Sequence, residues 1–225
     1  ISKWTSKNAR KIGEAPVVFS PQLVDASCVQ LKRAMNNKGY FQAQVDTTMQ
    51  MKDRKVNLVY HITANAPYQL RNYSVNVAHS DLKSVAQNQR QSLIHNGMQF
   101  DADLLNQERQ RVASTMRRRG YFYFDQEMLQ FEADSNRVQG QIDVKMQLQD
   151  YVQALSEEEK DLIFRTYTIA HVSFHIDYDP ARVPDNAEMY SSSQKGYVFT
   201  WIGKKLLREQ MLIRNCPIKP GDRYN

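Results

Sequence analysis

The sequence predicts an α+β fold made of tandem copies of one small unit, two helices packed on a three-stranded mixed sheet in the order β-α-α-β-β. Three observations predict it. Two helix-forming segments, each ending in Gly-Tyr-Phe, align without gaps at a spacing of 81 residues. A strand-like segment recurs at a spacing of 99 residues. The composition, 41% hydrophobic and 24% charged with only 8 Gly and 7 Pro, provides for several packed cores and little linker.

The first repeat starts a helix in each copy. Phe19-Ser20-Pro21 opens one and Phe100-Asp101-Ala102 the other. Ser20 and Asp101 are good N-caps, because a side-chain oxygen can accept from the free amides of a first turn. Pro21 falls at the first helical position, where a missing N–H costs nothing. Phe19 with Val24, and Phe100 with Leu105, stand at the spacing of a hydrophobic staple. Val24, Cys28, Leu31 and Met35 form one stripe of an amphipathic helix, and Val112 and Met116 match Leu31 and Met35. Gly39-Tyr40-Phe41 and Gly120-Tyr121-Phe122 come after basic residues, as expected where a helix ends in a left-handed glycine.

A hairpin is expected after each of these glycines. Phe41 to Met51 and Tyr121 to Phe131 are strand-like, with polar breaks at Lys52-Asp53-Arg54 and Asp134-Ser135-Asn136. The returning segments alternate: Val56, Leu58, Tyr60, Ile62 in one and Ile142, Val144, Met146, Leu148 in the other. Period two describes a sheet with one covered face.

The second repeat completes the unit. Tyr68-Gln69-Leu70, Tyr73, Val75, Val77 align with Tyr167-Thr168-Ile169, Val172, Phe174, Ile176. The phase slips once in each, which predicts a bulge or a change of face. Asp81 to His95 reads as a helix before Gly97-Met98-Gln99-Phe100-Asp101, and Gly221-Asp222-Arg223-Tyr224-Asn225 repeats that junction. Asn225 would then cap a helix outside this sequence, and the start without Met reads as an excised fragment. The units run 1–66, lacking a first strand and opening on a helix over Ile1–Lys11; 67–150, complete; and 151–225, truncated before its second helix. The third carries a polar insertion at 177–196, where a mobile surface loop is expected.

This order, with Gly-Tyr-Phe closing the second helix and Lys219-Pro220-Gly221-Asp222-Arg223-Tyr224 at the junction, resembles the POTRA domain. Tandem units with such junctions look most like the periplasmic parts of BamA/TamA-type outer-membrane barrel proteins. That resemblance implies a periplasmic, surface-antigen-type scaffold attached to the outer membrane, continuing into a membrane β-barrel, that assists protein transport and outer membrane protein assembly. The implied partners are unfolded outer-membrane proteins or assembly-complex subunits, with no nucleic acid, cofactor or catalysis. In POTRA domains the strand after Gly-Tyr-Phe is the open edge of the sheet. Here that implies peptide-binding edges at Phe41, Gln42, Ala43, Gln44, Val45, Asp46 and at Phe122, Tyr123, Phe124, Asp125, Gln126, Glu127. Unpaired amides and carbonyls on such an edge can take an incoming extended chain. The alternative is the POTRA region of a secretion- or lipid-transfer-type barrel partner. Outside the resemblance stands a basic nucleic-acid-binding module.

Other signals are weaker. His171 and His175, with Asp177 and Asp179 beyond, lack the further ligands of a metal site, and the alternation of Val172, Phe174 and Ile176 turns His175 to solvent. Ser191-Ser192-Ser193-Gln194-Lys195-Gly196 lacks the glycines of a phosphate loop. No nucleophile elbow or zinc-protease helix occurs. Cys28 lies on the apolar stripe, and Arg109 stands at its equivalent in the second copy. The net charge of +6 allows an anionic partner. Arg117-Arg118-Arg119 beside Tyr121 to Phe124 pairs cations with aromatics, as in nucleic-acid binding or contact with an anionic membrane surface. Arginines in a last helical turn also oppose the helix dipole, and that placement explains them without a ligand.

Overall fold

The computed structural model describes residues 19–225 apart from 54, 136–138, 177–187, 206 and 225. The expected helix over Ile1–Lys11, the two aspartates beyond His175 and the cap at Asn225 lie outside the described residues.

Helix α1 (Pro21–Asn37) starts with Pro in its first turn. Ser20 occupies the N-cap position, but its hydroxyl donates to Gln22 Oε1 at 2.7 Å instead of capping. The helix closes on Gly39 at φ +84°, with the Gly39 amide donating to Asn36 O (2.9 Å) and Tyr40 to Met35 O (3.0 Å). These two bonds are the Schellman arrangement that only a left-handed residue permits. Strands β1 (Gln44–Lys52) and β2 (Lys55–Thr63) then pair antiparallel, from Gln44 opposite Thr63 to Lys52 opposite Lys55.

The next stretch contains β3 (Gln69–Asn76), α2 (Ser80–Ala86), α3 (Ala102–Arg118), β4 (Leu129–Asp134) and β5 (Gln141–Leu148), with the sheet ordered β3-β5-β4. After α4 (Asp150–Gln153) and α5 (Glu157–Ile163) comes a third sheet of β6 (Val172–Ile176), β7 (Met189–Gln194) and β8 (Tyr197–Ile202). Its order is β6-β8-β7, with β6 parallel and β7 antiparallel to β8. Helix α6 (Glu209–Asn215) comes next. The last strand occupies the centre of both three-stranded sheets.

Three sequence expectations change. The helix expected over 81–95 stops at Ala86. Beyond it, Asn88 Oδ1 accepts from the Arg90 amide at 3.2 Å, a local side-chain turn that competes with helix. The loop expected at 177–196 is a strand over Met189–Gln194, because its serines find backbone partners along β8. And the strand expected from Tyr121 begins only at Leu129, because Phe124 turns into the core and Asp125 caps a short turn ahead of it.

The chain packs as two compact units. Among the described residues the first comprises those up to Asn72 together with Asn96–Asp103 and Asp134–Asp143. The second comprises Tyr73–His95, Leu104–Ala133 and the residues from Val144 onward. The second unit has a core of Leu82, Val85, Val112, Met116, Leu129 and Met146, joined by Val152 and Ile163. These last two lie beyond residue 150, where the sequence placed a unit boundary. Capping explains why α5 forms there: Ser156 accepts from the Glu159 amide and Glu159 reaches back to the Ser156 amide.

Candidate functional site

The two sequence repeats meet in one backbone motif, built twice. In the first copy the Tyr68 amide donates to Gly39 O at 2.8 Å, and the Phe100 amide to Tyr68 O at 2.9 Å. Leu70 then donates to Met98 O, and Gly97 to Leu70 O, each at 2.7 Å. In the second copy Tyr167 donates to Gly120 O at 2.8 Å, Tyr224 to Tyr167 O at 2.9 Å, Ile169 to Asp222 O at 2.8 Å and Gly221 to Ile169 O at 2.7 Å. Every partner in one set is the sequence equivalent of its partner in the other.

Each junction carries an aromatic cluster. Phe41 meets Tyr68 edge-on at 5.1 Å and Phe100 at 5.3 Å. Phe122 meets Tyr224 edge-on at 4.8 Å and Tyr167 at 6.1 Å, while Tyr123 meets Tyr167 at 5.5 Å. Such pairs contribute about 0.5–1.5 kcal/mol each beyond the area they bury. At the first junction Lys38, the residue after α1, bonds Asp101 at 2.9 Å and Asp103 at 2.8 Å. Asp101 also caps α3, accepting from the Asp103 amide at 2.9 Å.

This geometry corrects the expected peptide-binding edges. Phe41, Gln42 and Ala43 form a turn, with the Ala43 amide bonded to Tyr40 O at 3.1 Å; only Gln44, Val45 and Asp46 belong to β1. Ala43 is 2% exposed and packs inward. In the second copy none of Phe122, Tyr123, Phe124, Asp125, Gln126 or Glu127 lies in a strand. Phe122 and Tyr123 belong to the junction cluster, and Phe124, 1% exposed, fills the core. Asp125 accepts from the Glu127 amide at 3.0 Å and caps a short 3-10 turn over Gln126–Met128. Arg109 holds that turn down, its Nε donating to Gln126 O at 3.2 Å and its Nη2 standing 2.9 Å from Glu127. So the departure at Arg109 serves the turn.

The open edge of this sheet lies further along the chain. With the order β3-β5-β4, the Leu129–Asp134 strand has β5 on one side and, among the described residues, no strand on the other. Glu132 pairs with Lys145 of β5 at 2.7 Å, and Gln130 Nε2 donates to Leu148 O at 3.3 Å. These side-chain ties act toward β5. In the third sheet β7 is likewise outermost, with Met189 and Tyr190 exposed.

Sequence reasoning missed a buried ion pair. Glu108, 0% exposed, accepts from Ser92 Oγ (3.0 Å), the Leu93 amide (3.0 Å), and Arg111 Nε and Nη2 (both 2.8 Å). Arg111 also reaches Val85 O at 3.1 Å. The network fastens the turns after α2 onto α3. In the same unit Tyr121 donates to Asp81 at 2.6 Å, and burial together with that bond pushes the phenol up to about 12. His79 accepts from the Leu82 amide at 3.4 Å and stacks on Phe164, ring centroids 4.4 Å apart; burial holds its pKa below the usual range.

The remaining sequence candidates stay apart. His171 and His175 are exposed, and His175 bonds Thr200 at 2.7 Å. Cys28 and Cys216 are free and half-buried. Arg117 faces Asp125 at 3.5 Å and Arg118 donates to Thr115 at 2.9 Å, so both act locally at the helix end. Among the described residues no cluster of His, Cys, Asp and Glu is placed to hold a metal ion, and no helix is long and apolar enough to cross a membrane.

Residues 10–65, which carry the first Gly-Tyr-Phe and its hairpin, match the model of the POTRA family, the surface antigen variable number repeat. That stretch of the chain is similar to a POTRA domain. No curated protein matches it in sequence. Among solved structures, POTRA3-5 of Haemophilus influenzae BamA is 12% identical, with a TM-score of 0.44 and 91% of each chain covered. BamA from Haemophilus ducreyi lacking POTRA domains 1-3 is 14% identical at a TM-score of 0.37, covering 66% of this chain and 27% of that one. POTRA1-3 of the periplasmic domain of Omp85 from Anabaena is 15% identical at 0.31, covering 66% and 58%. The POTRA match ends at 65, just before Tyr68, and the α+β fold continues beyond it with the repeated junction motif.

Proposed function

We propose that this chain is the periplasmic POTRA scaffold of an outer-membrane β-barrel protein. In this role it takes extended segments of unfolded outer-membrane proteins or assembly partners by strand addition and performs no catalysis. The family match over 10–65 supports the compartment and the scaffold role. The observation that carries the binding chemistry is the outermost position of β4 in the order β3-β5-β4. An outer strand offers one row of unpaired amides and carbonyls, and pairing with them reads an extended backbone more than side-chain identity. That suits a receptor for many clients.

The receptor segment moves from Phe122–Glu127 to Leu129–Asp134, while Gln44, Val45 and Asp46 remain candidates at the start of β1. The module boundary near 66 is kept. The second is placed after Ile163, since Val152 and Ile163 pack with Leu82 and Met116.

A proline scan of Gln130, Phe131 and Glu132 tests the reading. Successive amides along a strand point alternately to its two sides, so proline either removes a donor to β5 or one facing outward. Outward positions are expected to lose binding of an outer-membrane strand peptide with the fold intact. Binding that survives every folded proline variant contradicts the reading. Binding to nucleic acid that falls steeply with salt would support the basic-module alternative instead.

A further inference from the structure

We infer that the β7–β8 hairpin is a tethered ligand of β6, filling from within its own unit a strand-binding place that accepts an extended segment with aromatic residues at alternate positions. The two three-stranded sheets share one order, first strand at the edge and last strand in the centre, β3-β5-β4 and β6-β8-β7. Their central strands come from different parts of the chain. β5 arrives after both α2 and α3, whereas β8 arrives before α6. Both nevertheless enter behind a glycine of positive φ whose carbonyl oxygen accepts from the first residue of the first strand. Gly140 O accepts from the Gln69 amide at 2.9 Å, and Gly196 O from the Val172 amide at 3.1 Å. The inward residues are unlike, Ile142, Val144 and Met146 against Tyr197, Phe199 and Trp201. A place that two unlike segments fill is specified by backbone pairing.

The resident strand shows what chemistry the place on β6 takes. β8 runs parallel to β6, with Val172 opposite Tyr197, Phe174 opposite Phe199 and Ile176 opposite Trp201. The ring of Phe174 stacks on Phe199 at 5.3 Å, with 6° between the planes, and on Tyr197 at 6.2 Å. Phe199 is fully buried. One face of β8 is therefore aromatic, and the other carries Val198, Thr200 and Ile202. Alternation of this kind, with aromatic residues toward the two interfaces, belongs to strands that span an outer membrane. A partner strand of that class would lay its aromatic residues where Tyr197, Phe199 and Trp201 now lie. The hairpin is held from one side. β7 contributes Ser191-Ser192-Ser193-Gln194, none of them apolar. Its turn is closed by Lys195 and Gly196 at φ +50° and +81°, the type I′ pair that matches strand twist, so the two strands move as one piece. The chain leaves β8 through Gly203, where a Cβ would meet nothing within 4 Å.

The class of partner rests on the strand-addition reading above; the acceptor on β6 does not, and its test uses the chain's own sequence. The probe is a labelled peptide of residues 195–203, Lys-Gly-Tyr-Val-Phe-Thr-Trp-Ile-Gly, added to the full chain. Tethering favours the resident strand over a free one by about a hundred-fold or more, so the parent is expected to take up the probe weakly. Two variants loosen the hairpin without changing a residue of β6. Gly196→Ala strains the turn and brings a Cβ to 2.6 Å from Pro220 Cβ, and Phe199→Ala removes the buried ring. Each is expected to bind the probe about a hundred-fold more tightly than the parent. The bound probe should also raise the melting temperature that the substitution lowered. A peptide with serine at the three aromatic positions should not bind. An outer-membrane strand peptide with alternate aromatic residues should displace the probe; if it does not, while the probe itself binds, the partner class is wrong and the acceptor stands. No uptake by either variant, uptake as tight by the parent as by the variants, or equal uptake of the serine peptide would overturn the proposal.

Discussion

The amide of Tyr167 donates to the carbonyl oxygen of Gly120 at 2.8 Å, and Tyr68 donates to Gly39 over the same distance. Both acceptors are glycines that end a helix at positive φ, +96° and +84°. The chain therefore turns out of α1 and α3 through one backbone device, and the strand beyond each junction is hung on it.

The device predicts a graded cost for adding a methyl group. A Cβ on Gly39 would stand 2.9 Å from Phe100 O, which is backbone, whereas on Gly120 it would meet Arg223 Cγ at 2.6 Å, which can swing away. At Gly97 nothing lies within 4 Å, leaving only the strain of φ +86°. Urea unfolding is expected to rank Gly39→Ala as most damaging, then Gly120→Ala, with Gly97→Ala at about 1–2 kcal/mol.

The buried pair predicts non-additivity. Glu108→Leu leaves Arg111 buried without its carboxylate and is expected to cost about 3–5 kcal/mol. Adding Arg111→Met to that variant should recover most of the loss, because two apolar side chains of similar volume replace two charges. A double-mutant cycle in urea measures this; equal losses in the single and double variants would show that the pair does not act as a unit.

His79 predicts a loss of stability toward acid. Its ring nitrogen must stay unprotonated to accept from the Leu82 amide, and burial lowers its pKa below 6.5 against the opposing pull of Asp81. The folded state thus binds fewer protons than the unfolded one. The contribution is complete above the unfolded pKa and is lost as pH falls through the folded value. Thermal melts between about pH 7.5 and 5.5 should show a downward slope that His79→Asn, a cap without a titrating ring, makes shallower.

The junction residues were legible in the sequence because a few strict backbone demands recur in the same order. Gly39 and Gly120 need a left-handed φ, and Tyr68 and Tyr167 stand at the strand that each glycine anchors. Phe122 to Glu127 misled because closely spaced aromatics imitate a strand, while Asp125 capping and the reach of Arg109 are tertiary facts that convert it to a turn. Met189–Gln194 misled in the opposite sense. Its serines read as loop, and only pairing with Tyr197–Ile202 makes a strand of them. Glu108 aligns with the polar helix residue Ser27 and reads as solvated; Arg111 three residues on was its one visible signal.

The most direct test of strand addition is amide hydrogen exchange by NMR, with and without an extended outer-membrane strand peptide. Slowed exchange at alternate residues of Leu129–Asp134, with the already bonded Tyr68 and Tyr167 amides unchanged, is the expected result. Peptide binding that leaves every amide of β4 unprotected would contradict it.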